Sequence, residues 1–341
     1  MSKVKAGIIG LGVGEQHLRL LSGRIDVDVL AICDSNPEKL LEVSSRFPDP
    51  IAVQQDFEII NNPEINLVCI ATYDDAHCSQ ILASIDHGKH VFVEKPVCLF
   101  KDEARSIIDH LKEKPHLKFS SNLILRKSER FLDLKSRIES GQFGEIFALD
   151  ADYYYGRVEK VTQGWRGEID YYSVFLGGGI HMVDLVRWLC EEKVERVYAA
   201  SNKIATCGTN FRFDDYISSL ISFENGIQAR VSANFGCVHP HHHSLKVFGS
   251  KSTFVNDFEN GKVYSSRDPK TPAEMLISDY PGCRKGDLLD SFVDEIINGS
   301  PPAYSKEEVF ESMAVGFAVE ESLRTNESVT LSEIRRDLNL I

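Results

Sequence analysis

The first fourteen residues limit the folds open to this chain, because an apolar run passes directly into a cluster of glycines. Val4-Lys5-Ala6-Gly7-Ile8-Ile9 has the length and apolar character of a strand buried on both faces. Gly10-Leu11-Gly12-Val13-Gly14 follows at once, and the segment from Gln16 to Leu21 can start a helix. Glycines let the backbone approach a phosphate with no Cβ in the way, and a helix N-terminus presents N–H groups and a partial positive charge. Strand, glycine turn and helix in this order fit a pyrophosphate cradle, with an ordinary tight turn as the alternative. The third glycine of the fingerprint belongs at position 15, where Glu15 stands, and Gly14 comes one residue early.

A second run, Val27 to Cys33, ends in Asp34, about twenty residues beyond the first glycine. An acid there accepts hydrogen bonds from ribose hydroxyls and repels a 2′-phosphate, so NAD is the expected cofactor and NADP the disfavoured one. Further strands are expected at Leu67–Ala71, His90–Val93 and Lys118–Asn122, with helices at Cys78–His87 and Asp102–Lys112 between them. Strands alternating with helices give a doubly wound parallel sheet of the Rossmann type, with its ligand crevice at the carboxyl ends of the strands. Gly12, Asp34, Thr72 and Lys95 all follow strand ends and are expected to line that crevice.

Beyond a helical stretch at Glu129–Ser140 the pattern changes to longer alternating strands. These are Ile146–Tyr155, Val194–Ala200, Tyr216–Phe223, Ile227–Phe235 and Ser244–Phe248, with Glu224-Asn225-Gly226 as a hairpin signal. A large, mostly antiparallel open sheet is expected, covered on one face by the helices Ile180–Cys190 and Lys306–Asn326. The fold class is thus α/β, with a domain at residues 1–122 for the cofactor and a second α/β domain at 123–341. With 341 residues, two domains are the default. The 38 basic and 51 acidic residues leave a net charge of −13, which repels nucleic acid. No apolar stretch has the length of a membrane span and no signal-like segment precedes Val4, so a cytoplasmic location is expected. The eight cysteines show no paired spacing, and neither a disulfide framework nor a metal site is expected.

Several short motifs occur in a familiar order. Gly10-Leu11-Gly12, Asp34, Ala71-Thr72 with His77 five residues on, Gly88-Lys89-His90-Val91 leading into Glu94-Lys95-Pro96, and Gly178-Gly179-Ile180-His181-Met182-Val183-Asp184 together resemble the glucose-fructose oxidoreductase and inositol dehydrogenase family, Gfo/Idh/MocA. The resemblance implies reversible oxidation of a sugar or polyol hydroxyl with NAD(P). It implies a cofactor set of Gly10, Leu11, Gly12, Val13, Gly14, Asp34, Ala71, Thr72, His77, Glu94 and Lys95. Lys95 matches the family's active-site lysine, His181 its general base and Asp184 a substrate-binding acid. The chemistry is sensible, since an ammonium stabilises developing alkoxide character and an imidazole titrates near neutrality. Relatives pair their open sheets, so a homodimer or homotetramer is expected.

The family commonly carries an aspartate four residues before the histidine, but here that position is Gly177. Asp170, Tyr171 and Tyr172 are the nearby groups that could stand in, and a tyrosine could also replace the histidine as acid or base. Arg126 follows a strand end, while Tyr155, Arg157, Trp165 and Arg166 form an aromatic and basic cluster suited to a carbohydrate, or equally to a sheet surface. The run His239-Pro240-His241-His242-His243 looks like a metal site, but strand alternation would split it across two faces. The expected function is NAD-dependent hydride transfer to or from a secondary hydroxyl of a sugar, nucleotide sugars included. An NAD-using glycoside-cleaving enzyme and a non-catalytic NAD-binding regulator are the alternatives.

Overall fold

A computed structural model describes residues 3–341. The backbone divides into two compact units, the first made of residues 3–123, 284–310 and 337–341, the second of 124–283 and 311–336. A single cut near Asn122 does not account for the two segments that return to the first unit. Their return follows from packing that the local sequence does not announce. The helix Asp287–Asn298 buries Leu288, Leu289, Phe292 and Val293, its Phe292 ring lies 5.6 Å from that of Phe92, and Arg24 pairs with its Asp290 and Asp294.

In the first unit six parallel strands form one sheet: β1 Val4–Ile9, β2 Val27–Cys33, β3 Ile51–Val53, β4 Leu67–Ile70, β5 His90–Val93 and β6 Phe119–Ser121. Their order is β3-β2-β1-β4-β5-β6. Helices α1 Gly14–Ser22, α2 Pro37–Arg46, α3 Asp56–Ile60, α4 His77–Asp86 and α5 Lys101–Glu113 connect them. All four residues of β4 are buried, as expected for a strand covered on both faces. Between β1 and β4 the strand order reverses direction, which opens a crevice at their carboxyl ends. Asn36 caps α2 by accepting from the Glu38 and Lys39 N–H groups, and Pro37 supplies a preset φ at the first position.

The second unit contains a nine-stranded sheet in the order β14-β13-β12-β11-β7-β10-β9-β8-β15. Its strands are β7 Ile146–Tyr154, β8 Val194–Asn202, β9 Tyr216–Phe223, β10 Gln228–Asn234, β11 His242–Gly249, β12 Thr253–Asn256, β13 Gly261–Tyr264, β14 Glu274–Leu276 and β15 Val329–Thr330. β7 and β10 run parallel; the other neighbours are antiparallel. Asn225 and Gly226 turn the β9–β10 hairpin, Gly226 with φ +90°. Helices α6 Glu129–Glu139, α7 Glu159–Thr162 and α8 Ile180–Cys190 belong to this unit. α8 packs on β7 and β10, over a face that includes Leu149, Ala151, Ala229 and Val231. The opposite face carries Asp150, Arg230 and Lys246 together with the exposed Tyr198 and Leu220. Arg130 on α6 is fully buried and donates to Asn256, Asp257, Glu259 and Ser278, tying the helix to the β12–β13 hairpin.

Candidate active site

The glycine turn is built at the end of β1. Gly10 takes φ +85°, and a Cβ on it would fall 2.4 Å from the Ala71 carbonyl oxygen, so only glycine lets β1 and the end of β4 approach this closely. A Cβ on Gly12 would meet nothing within 4 Å, which leaves room for a ligand against the backbone. Gly14 opens α1, and its Cβ position lies 3.1 Å from Ile8 and 3.3 Å from Ala71. It therefore does the helix-to-strand packing that the fingerprint assigns to a third glycine at 15. Val13 precedes α1 with no side-chain cap, so the first-turn N–H groups can meet an anion.

A cavity of about 480 Å³ opens here, lined by Gly10, Gly12, Asp34, Ala71 and Thr72 of the expected set, with Asn36, Lys39, Gln54, Asp56, Tyr73 and Gln80 among the residues added by the fold. The Asp34 carboxylate accepts from the Leu11 N–H at 2.6 Å and the Asn36 N–H at 2.8 Å, fixing the glycine turn against the start of α2. Thr72 donates to Gln80 at 2.7 Å and Gln80 to Asp56 at 2.8 Å, a chain across the floor of the cavity that has no signature in sequence. The site fits a dinucleotide: open backbone at Gly12, an uncapped helix N-terminus and an acid at ribose distance along the motif.

Other members of the expected set support the cradle from behind. Leu11 is fully buried. His77 is also fully buried, with its ring nitrogens 2.7 Å from the Pro96 carbonyl and 3.3 Å from the Thr72 carbonyl, so it joins the β4 loop to the turn after β5. Glu94 is buried at the end of β5, accepts from Asn122 at 2.6 Å and lies 3.3 Å from His17 Nε2. Burial alone would raise its carboxyl, but the hydrogen bond and charge of His17, with Asn122 and the neighbouring Lys95, hold it at about 2. Asn122 also donates to the Lys285 carbonyl at 3.0 Å. Lys95 is half-buried beside this anchored acid and precedes Pro96 through a cis peptide.

In the second unit His181 stands in the first turn of α8, directly after a π-helical turn, Phe175–Gly179. Its ring stacks on Tyr153 with centroids 5.9 Å apart and planes 15° from parallel. His243 lies 5.9 Å away and His241 5.0 Å beyond it, so both face Tyr153, while His242 lies instead against Tyr154, His239 and Phe258. Burial, helped by the charge of Arg157, pushes His241 down to about 4, and burial pushes His243 well below the usual range, so both are neutral imidazoles at neutral pH. Tyr155 stacks on Phe235 at 4.3 Å, and the guanidiniums of Arg157 and Arg166 lie 5.9 and 6.0 Å from its ring. Arg166 also lies 4.5 Å from the Trp165 ring and donates to the Tyr172 hydroxyl at 3.0 Å. Arg126 and Asp184 are brought together with each other: Arg126 Nε and Nη2 meet the Asp184 carboxylate at 2.9 and 2.7 Å, with both side chains nearly inaccessible. Ser312 adds a third donor to Asp184.

The triple glycine before His181 has a use that its sequence does not reveal. Aromatic rings fill the space where a ligand could have reached its backbone. A Cβ on Gly177 would lie 2.3 Å from the Tyr172 hydroxyl, one on Gly178 2.5 Å from Tyr153, and one on Gly179 2.9 Å from Phe175. Tyr171 instead donates to Glu320 at 2.7 Å, and burial pushes its phenol up, which keeps it protonated.

The first unit thus has the architecture of an NAD-binding Rossmann domain, and the second carries a histidine at the head of a helix under a large open sheet. Residues 4–122 match the family model described as "Oxidoreductase family, NAD-binding Rossmann fold" and residues 131–255 that of the GFO/IDH/MocA C-terminal domain. The chain belongs to the GFO/IDH/MocA family of oxidoreductases, and its cofactor is NAD. It is 25% identical to a myo-inositol 2-dehydrogenase of Thermotoga maritima over 97% of this chain and 99% of the relative. Among solved structures, a scyllo-inositol dehydrogenase from Lactobacillus casei with bound NAD(H) and scyllo-inositol superposes with TM-score 0.80, 19% identity and coverage of 97% and 99% of the two chains. A levoglucosan dehydrogenase in complex with NADH and levoglucosan gives 0.83, 18%, and 96% and 99%. At such identities these two structures define the fold. No helix among the described residues is long and apolar enough to cross a membrane.

Proposed function

We propose that this protein oxidises a secondary hydroxyl of a cyclic polyol or sugar, free or nucleotide-linked, with NAD as the hydride acceptor. The observation that carries this reading is the match to a myo-inositol 2-dehydrogenase along almost the whole of both chains. Gly12, the α1 N-terminus and Asp34 would hold NAD, whose nicotinamide would supply the hydride acceptor when bound. Lys95 stabilises the negative charge that develops on the substrate oxygen as its proton leaves. His181 takes that proton, and the stacked Tyr153 ring fixes its imidazole plane. Tyr155, Arg157, Trp165 and Arg166 bind the polyol, the aromatic faces covering C–H surfaces and the guanidiniums donating to oxygens.

The test is NAD-linked turnover on a panel of inositols, aldoses, anhydrosugars and sugar nucleotides. Formation of NADH with at least one of them is expected. Nucleotide binding with no turnover across the panel would favour a regulator, and release of reducing sugar without net NADH would favour glycoside cleavage. The exposed face of the nine-stranded sheet supports self-association, and light scattering should give a mass of at least twice 38.3 kDa.

A further inference from the structure

Position 15, where the dinucleotide fingerprint expects glycine, carries a carboxylate with its side chain only 12% exposed. Gly14 has taken over the close packing, so residue 15 can extend from α1 toward α2. Three cations meet it there. Arg46 approaches through Nη1 at 2.6 Å and Nη2 at 3.1 Å, Lys39 Nζ at 3.1 Å and Arg19 Nη2 at 3.3 Å. Glu42 completes the group, 3.2 Å from Lys39 and 2.9 Å from Arg46. The Arg46 guanidinium, followed by the Lys39 ammonium, holds the Glu15 carboxyl at about 2, so it is ionised at every working pH.

Lys39 matters because it also lines the cofactor cavity beside Asp34, Ser35 and Asn36, and it is the one cation among the described lining residues. Asp34, Asp56 and Asp75 line the same cavity. A 2′-phosphate on the adenosine ribose would meet these carboxylates and an ammonium already engaged by two more.

We propose that Glu15 is a specificity-determining residue that keeps NADP out by withholding Lys39, with Arg46 behind it, from the 2′-phosphate. The proposal rests on NAD being the cofactor. Asp34 alone repels the phosphate, and Glu15 removes the compensating cation that would otherwise accommodate it. Cofactor choice is thereby shared between the end of β2 and the first turn of α1.

Calorimetric titration of the full-length protein with NAD⁺ and with NADP⁺ tests this. Glu15→Gln should tighten NADP⁺ about tenfold while leaving NAD⁺ within about threefold, and Glu15→Gln/Lys39→Ala should lose the gain. An unchanged NADP⁺ affinity in a folded, NAD⁺-binding Glu15→Gln protein overturns the proposal, as does a gain that survives in the double variant. If Glu15→Gln fails to fold, Lys39→Ala in the otherwise native chain decides: its NADP⁺ affinity should equal the parent's, and a tenfold loss would mean that Lys39 already serves the phosphate. A parent that binds neither nucleotide would instead overturn the cofactor assignment on which the proposal stands.

Discussion

The Tyr172 hydroxyl occupies the place where a side chain on Gly177 would begin, 2.3 Å from the position of its Cβ. This pair explains why position 177 is glycine. A phenol anchored by Arg166 fills the space, and the ring leaves room for nothing larger than hydrogen on the neighbouring residue. Gly177→Ala must displace a ring that is only 2% exposed, so it should destabilise the protein by about 1–3 kcal/mol. Tyr172→Phe keeps the ring but removes the acceptor of Arg166, and should cost about 1 kcal/mol. Denaturant unfolding measures both; a Gly177→Ala protein as stable as the parent would mean that Tyr172 moves aside freely.

Lys95→Ala should leave NAD affinity within a few-fold, because the cavity is lined by Gly12, Asp34 and Thr72, while turnover drops about a hundredfold or more. His181→Ala should lose roughly a hundredfold in turnover. A mild effect at His181 with a severe one at Tyr172 would move the base to the phenol. Full turnover in both variants would remove Lys95 and His181 from the chemistry altogether.

Asp184 and Arg126 form a buried, bidentate pair. Asp184→Asn should therefore take the charge from the carboxylate that a buried guanidinium grips at two points, and cost about 3–5 kcal/mol in unfolding free energy. If the variant instead keeps its stability and raises KM alone, Asp184 serves the substrate directly.

Acid stability provides a separate measurement. Glu94 is held at about 2 against an ordinary 4.5, so its contribution is complete above pH 4.5 and is lost as pH falls from there toward 2. Parent and Glu94→Gln should differ by about 3 kcal/mol at pH 7 and converge at the acid end. A constant gap across that window would show that the acid's charge contributes nothing to folding.

The cradle was legible because each of its parts is local. β1, Gly10, Gly12 and Asp34 sit within one strand-turn-helix-strand run, and the chemistry of a pyrophosphate dictates the residue types. His77 and Glu94 stand where the motifs put them, yet both face inward and brace the loops, a distinction that depends on side-chain direction. The three glycines at 177–179 are plain in the sequence, but the rings of Tyr172, Tyr153 and Phe175 that crowd them are not. Sequence spacing does not tell an aromatic ring from a ligand. Arg126 and Asp184, 58 positions apart, gave no sign that they would pair. The short β3 and the β12–β14 strands, of three or four residues each, fall below the length at which alternation can be recognised.

The cofactor-binding unit cannot be finished by the residues that open it. Asn122 needs the Lys285 carbonyl, Phe92 needs Phe292, and Arg24 needs Asp290 and Asp294. All of these partners lie beyond residues 124–283, which belong to the other unit. During synthesis the glycine turn and its sheet therefore emerge early but wait while that stretch is translated, roughly ten to thirty seconds at ordinary elongation rates. The nascent Rossmann sheet spends this interval with the face that receives the Asp287–Asn298 helix uncovered. A fragment ending near residue 122 would be arrested in that incomplete state.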